Sequence, residues 1–215
     1  MKKLTPLLVL IIFFSCGNAK KDGDTASGSA ADASKPKEHT VYGVESGILE
    51  MTYMDQGKHT ESKDIIYFDQ FGKRQAKYVF HPAADGKGLE ASTAEIRLGD
   101  TSFILNLHDM TGLKMDNSMS MITAMAGADF PEVAQQKTFG ASKKADATVM
   151  GKTCEVYETN KDSMFTQKYL YKGIIMKTVV KMKGMNVECE TTRFEEGAKI
   201  PEDKMKVPAG IKYTL

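Results

Sequence analysis

Five of the chain's 14 methionines, Met110, Met115, Met119, Met121 and Met125, fall within sixteen residues. Thioether side chains are flexible and polarisable, so they fill irregular gaps and suit adaptable apolar binding surfaces. The same softness selects Cu(I). Three readings of the cluster are therefore open. It packs a core, or it lines a pocket for a lipid or acyl chain with Met115, Met119, Ile122 and Met125, or it binds copper through the ligand-like spacings Met115/Met119, Met121/Met125 and Met182/Met185. A copper protein more often mixes in histidine, and only His108, beside Met110, lies near.

Other residues with chemistry are sparse. The chain has 3 cysteines, Cys16, Cys154 and Cys189. Cys154 alternates with Val156 and Cys189 with Val187, which places both on the core side of strands. In an oxidising compartment the two can pair as a disulfide. Sequential strand counting puts them on non-neighbouring strands, however, and a bridge needs Cα atoms within about 7 Å. The alternative is two buried free thiols, behaving as small hydrophobes. His39, His59, His81 and His108 are scattered over tether, turn, loop and strand end, where each reads as solvated. GxSxG, HExxH, phosphate-loop, CxxC and dinucleotide patterns are all absent. Ser34 and Lys37 have a Ser-x-x-Lys spacing but sit in a polar linker without strand-helix context. Carboxylates occur singly or in runs such as Glu195-Glu196 and Glu202-Asp203, the pattern of a solvated face. These observations argue against an enzyme and imply no cofactor.

The N-terminus is more specific. Lys2 and Lys3 precede an unbroken apolar run, Leu7 to Phe14. Spanning a bilayer takes about 20 apolar residues, so this run reads as the apolar region of a signal peptide over residues 1–15. The segment Phe13-Phe14-Ser15-Cys16-Gly17 resembles the bacterial lipoprotein box, whose cysteine takes a diacylglyceryl group before cleavage. Ser15 fits that pattern, and Phe13 and Phe14 depart from it. The resemblance implies lipid attachment at Cys16 and a membrane partner, each buried acyl methylene supplying about 0.8 kcal/mol. Residues 16–40, rich in Gly, Ala, Ser, Asp and Lys, cannot bury enough surface to order themselves and read as a flexible tether reaching about 27 Å. The net charge of +1 becomes −1 when Lys2 and Lys3 leave with the signal, which offers nothing to nucleic acid.

The elements that must position these residues lie in 41–215. Alternating segments at Ser46 to Met54, Ser62 to Asp69, Arg74 to Phe80, Thr93 to Leu98 and Thr101 to Leu107 are joined by Gly-bearing turns and one loop, residues 81–92. Lys152 to Thr159, Phe165 to Tyr171, Ile174 to Met182 and Met185 to Phe194 repeat the pattern. Between the halves, Asp116 to Ala134 reads as an amphipathic helix, capped at Asp116 or Asn117, with Met115, Met119, Ile122, Met125 and Ala126 on one face. The expected fold is mainly β (α+β), a large curled antiparallel sheet with this helix packed on it.

Three motifs carry a resemblance: Met150-Gly151-Lys152-Thr153-Cys154-Glu155-Val156-Tyr157, Tyr171-Lys172-Gly173-Ile174-Ile175-Met176-Lys177, and Ile200 to Gly210 with Pro201 and Pro208. Over 41–215 the chain resembles LolA-like bacterial envelope proteins, the carrier that sorts lipoproteins to the outer membrane and its lipoprotein relatives. The resemblance implies an unclosed β-barrel whose mouth is covered by one or two helices, and an apolar cavity for acyl chains. Met205 stands where Phe is commoner in such proteins, and no counterpart of the sorting carrier's key arginine is found. An anchored chain is also not a soluble shuttle. The expectation is a lipid-anchored, non-catalytic envelope protein, on the periplasmic or surface face of the outer membrane, holding an apolar ligand. The alternative is a structural or interaction lipoprotein with a filled core.

Overall fold

The computed structural model describes residues 41–116, 141–161 and 163–214. The expected signal peptide, the tether, Cys16, Met119, Ile122 and Met125 lie outside these residues.

Two meanders make up the sheet. The first consists of β1 (Gly47–Asp55), β2 (Lys58–Asp69), β3 (Arg74–Pro82), β4 (Leu89–Leu98), β5 (Thr101–Asn106) and β6 (Thr111–Asp116). The second runs through the short β7 (Ser142–Lys143) and β8 (Ala147–Val149) to β9 (Lys152–Lys161), β10 (Met164–Tyr171), β11 (Ile174–Met182) and β12 (Met185–Glu196), and β13 (Lys212–Tyr213) follows. Local chemistry sets the tight turns. Gln56-Gly57 and Lys172-Gly173 have positive φ at both residues, the backbone whose twist matches a two-residue hairpin. Glycine takes the second place at no steric cost.

The strand order is β13-β6-β5-β4-β3-β2-β1-β12-β11-β10-β9-β7, with β8 beside β9. Every long strand pairs antiparallel with its sequence neighbour, and β1 pairs with β12. This is the order of an up-and-down barrel with one seam left open, between β13 and β7. In sequence, residues 117–140 lie between β6 and β7.

The structure corrects the expected helix at its start. Met115 and Asp116 belong to strand β6, opposite Ser102 and Thr101, and Met115 is half-buried. A lone Gly112 and the turn after Asn106 hide this strand from periodicity, because TGLKMD offers only two apolar side chains to alternate. The loop over residues 81–92 is also shorter than expected, since β4 begins at Leu89.

Two apolar clusters lie on opposite faces of the first meander. Leu49 and Phe68 pack with Val44, Val149, Cys154, Ile174 and Met176, and Tyr42 meets Phe68 edge-on at 4.9 Å. The other cluster joins Ala76, Ala94, Ile96 and Leu105 to Met205. Met205 arrives on the C-terminal segment, where Ile200, Val207 and Ile211 pack beside it and the Tyr78 hydroxyl donates to the Lys204 carbonyl at 2.9 Å. Pro201 and Pro208, unable to donate to a ladder, keep this segment off the sheet until β13 pairs in parallel with β6.

Candidate functional site

Register fixes which side chains share the face opposite the C-terminal segment. One row reads Ile66, Lys77, Glu95, Ile104, Leu113, and the next reads Met51, Asp64, Val79, Thr93, Asn106, Thr111. Tyr53 and its cross-strand partner Cys189 extend the same face across β1 and β12, as does Thr191 opposite Met51.

At the β1–β3 end of this face lies a polar cluster inside apolar surroundings. Asp64 is 1% exposed. Its Oδ2 accepts a hydrogen bond from the Tyr53 hydroxyl at 2.5 Å and an ion-paired one from Lys77 Nζ at 2.9 Å. Asp64 Oδ1 and Thr191 Oγ1 are buried without a protein partner. Burial alone pulls a lysine pKa down, but the adjoining carboxylate outweighs it and holds Lys77 above its ordinary value. Burial first, then the Asp64 charge, raises the Tyr53 phenol well above the usual tyrosine range. The same two causes push the Cys189 thiol up to about 12. At neutral pH the cluster is a compensated ion pair beside a neutral phenol and a neutral thiol. It supplies neither a thiolate nor a phenolate nucleophile.

At the β4–β6 end the face is open, with two apolar side chains among polar ones. A pocket of about 240 Å³ is bounded by Thr93, Ile104, Asn106, Thr111, Leu113 and Thr214. Ile104 and Leu113 lie 42% and 43% exposed beside one another on β5 and β6. Asn106 is occupied structurally, its amide bonding Asp109 and receiving the His108 and Asp109 N–H groups.

A second charged group caps the ends of β9, β10 and β12. The Glu196 carboxylate accepts from Lys152 Nζ at 2.7 Å and Lys172 Nζ at 2.9 Å, and these two bonds hold it down to about 2. Lys152 also lies 5.0 Å from the Tyr171 ring centre.

Of the residues singled out in the sequence, Met115 is on β6 next to the pocket-lining Leu113 row, not on a helix. Cys154 and Cys189 are free thiols: β10 and β11 separate their strands, so the disulfide that was open as an expectation is not formed. Met182 and Met185 face each other across the mouth of the β11–β12 hairpin. Among the described residues, no three His, Cys, Asp or Glu side chains come together to hold a metal, and His59, His81 and His108 are exposed. No helix of the described residues is long and apolar enough to cross a membrane. Sequence reasoning missed the Asp64–Lys77 pair, although a signal existed. Asp64, Ile66 and Phe68 share one parity, so a carboxylate stands at a core position.

The sequence matches no protein-family model and no curated protein. The solved structures it is similar to include an uncharacterised conserved protein from Thermus thermophilus, at TM-score 0.51 and 6% identity, covering 80% of this chain and 90% of that one. They also include a LolA superfamily protein from Nitrosomonas europaea (TM-score 0.36, 9% identity, 77% of this chain and 92% of that one). A third is a putative outer membrane lipoprotein-sorting protein domain from Vibrio parahaemolyticus (TM-score 0.35, 11% identity, 75% and 89%). The strand order with its single seam settles the architecture. The fold is an unclosed, mainly antiparallel β-barrel. At these identities the likeness is one of fold, and the functions in the neighbours' names stay with those proteins.

Proposed function

We propose that this chain is a lipid-anchored, non-catalytic cell-envelope protein, attached through Cys16, that holds a single acyl or alkyl chain on the open face of its half-barrel. The observation that carries this reading is the pocket of about 240 Å³ over Ile104 and Leu113, two large apolar side chains left exposed side by side. Sites for drug-sized ligands begin at roughly 300 Å³, so the volume suits part of one chain better than a whole multi-chain lipid. Each methylene removed from water contributes about 0.8 kcal/mol, which makes affinity rise about fourfold per carbon until the pocket is full.

The test uses protein beginning at Gly17, freed of co-purifying lipid, with a neutral fluorophore such as N-phenyl-naphthylamine displaced by straight-chain alcohols of increasing length. Displacement that steepens with chain length, and weakens in Ile104→Ser and Leu113→Ser, supports the reading. A fluorophore that neither binds nor responds to any alcohol sinks it. For the anchor, radiolabelled palmitate fed to cells is expected to enter the full chain and to be lost in Cys16→Ala; equal labelling of the variant refutes attachment at Cys16.

A further inference from the structure

Three methionines meet where β10 starts, β11 ends and β12 starts. Met182 pairs with Met185 across the β11–β12 turn. On its other side, the register that pairs Phe165 with Lys181 sets Met164 opposite Met182. Cross-strand partners point to the same side of a sheet, so Met164, Met182 and Met185 form one row centred on Met182. Met185, Val187 and Cys189 alternate along β12, which puts the row on the face that carries Cys189 and Tyr53. Met164 and Met182 are 41% and 42% exposed, and Met185 is half-buried. The row is thus open to solvent, unlike the core methionines Met51, Met176 and Met205.

Three thioethers side by side can do what hydrocarbon side chains cannot. Neighbours in such a row stand about 5 Å apart at Cβ, and each methionine sulfur lies further out on a flexible stem, so the outer two sulfurs reach over the central strand. From this juxtaposition we infer that Met164, Met182 and Met185 form a three-sulfur binding site for Cu(I). Thioethers select this soft ion, whereas Zn(II) and Ca(II) prefer nitrogen, thiolate or oxygen ligands. The next row inward is Thr166, Val180, Val187 and, at its end, Asp55, so among the described residues the methionine row itself holds no carboxylate or imidazole. Nearby cations sharpen the choice of ion. Lys161 stands opposite Met164 and Lys183 sits in the turn, both exposed. Their screened repulsion is half as large for a monovalent ion as for a divalent one. Met182 and Met185 are ligand-like in spacing along the chain, and Met164 joins them only because β10 pairs with β11. The site does not depend on the acyl-chain reading, whose exposed apolar pair lies on β5 and β6.

The experiment titrates Cu(I), under anaerobic reducing conditions, into the full chain carrying Cys16→Ala in non-ionic detergent. Bicinchoninate is the competing chelator, and isotope-labelled methionine methyl groups are read by NMR. The substitution removes the exposed thiol, and burial holds Cys154 and Cys189 as neutral thiols. Uptake of one Cu(I) per chain is expected, with the methyl signals of Met164, Met182 and Met185 moving together. Met164→Leu, Met182→Leu and Met185→Leu conserve volume, and each is expected to weaken Cu(I) binding at least about tenfold, since losing a mere supporting partner of a metal ligand already costs that much. Met150→Leu, at an equally open position outside the row, is expected to change nothing. Failure to take up Cu(I) against the chelator overturns the assignment, as does uptake that Met182→Leu leaves intact. Methyl shifts at Met115, Met119, Met121 and Met125 in place of the row overturn it as well. Zn(II) binding as tightly at the same three methyl groups refutes the selection for a soft ion.

Discussion

Replacing Lys77 with Met removes the cation that compensates the most deeply buried carboxylate of the described residues. At 2.9 Å and an effective dielectric of about 20 the pair attracts by about 6 kcal/mol, most of it consumed by desolvation. The two ends are unequal. Asp64 is 1% exposed and already has one oxygen without a partner, whereas the Lys77 side chain is 24% exposed and can turn its ammonium to water. Losing Lys77 therefore strands a charge, at about 3–5 kcal/mol, while Asp64→Leu strands only a mobile ammonium and the Tyr53 hydroxyl, at about 1–3 kcal/mol. The double variant K77M/D64L removes both charges from an apolar setting and is expected close to wild type, so the coupling is at least about 4 kcal/mol. Urea unfolding of all four proteins at neutral pH, followed by circular dichroism, measures it. Additivity within about 0.5 kcal/mol would show that the pair is not the compensated unit described here. The pH dependence has a definite sign. Because Lys77 is held above its ordinary value of 10.5, its contribution is complete below that pH and is lost as pH rises through the higher folded value. The wild type is thus expected to lose stability at alkaline pH more steeply than the double variant.

Three further outcomes follow from particular contacts. Glu196 is expected to titrate near 2 by carbon NMR, so its contribution is full above the ordinary carboxylate value of 4.5 and is lost as pH falls from there towards 2; Lys152→Ala moves the midpoint up, and a midpoint near 4.5 in the wild type contradicts the double lysine contact. In protein lacking Cys16, both remaining thiols are expected to resist alkylation at pH 8 and to react fully in denaturant, since burial raises each; rapid labelling of native Cys189 argues against its setting. A Cβ at Gly47 falls 2.7 Å from the Phe68 ring and 3.0 Å from Phe194, so Gly47→Ala is expected to lower stability by about 1–3 kcal/mol in thermal unfolding, and a neutral substitution shows that both rings yield.

How much of this was legible in the sequence depends on range. β1, β2, β3, β5, β9, β10, β11 and β12 declare themselves because alternation of period two and X-Gly turns are local signals. Only the end of β6 reads as a helix start, because Met115 supports either period, while the rest of a six-residue strand containing glycine alternates too weakly to declare itself. The pairing of β1 with β12 has no local signature; it joins positions at opposite ends of the domain through backbone groups that every residue carries. The site follows the same rule. The exposed Ile104 and Leu113 became neighbours only when β5 and β6 paired, and Asp64 and Lys77 met only across β2 and β3. The methionine cluster offered softness without position, and of its pocket residues only Met115 falls among those described.

The bond between the first and last long strands also governs how the chain is completed. Gly47 and Glu196 are about 150 residues apart, whereas every other pairing of long strands joins neighbours. Closing so long a loop makes folding slow in proportion to its contact order. When the first meander pairs before the second, β1 presents an unpaired edge carrying Ile48, Leu49 and Met51 until β12 docks on it. A half-formed barrel therefore exposes a strand edge that can pair with other chains, and truncation before Met185 is expected to leave that edge without its partner.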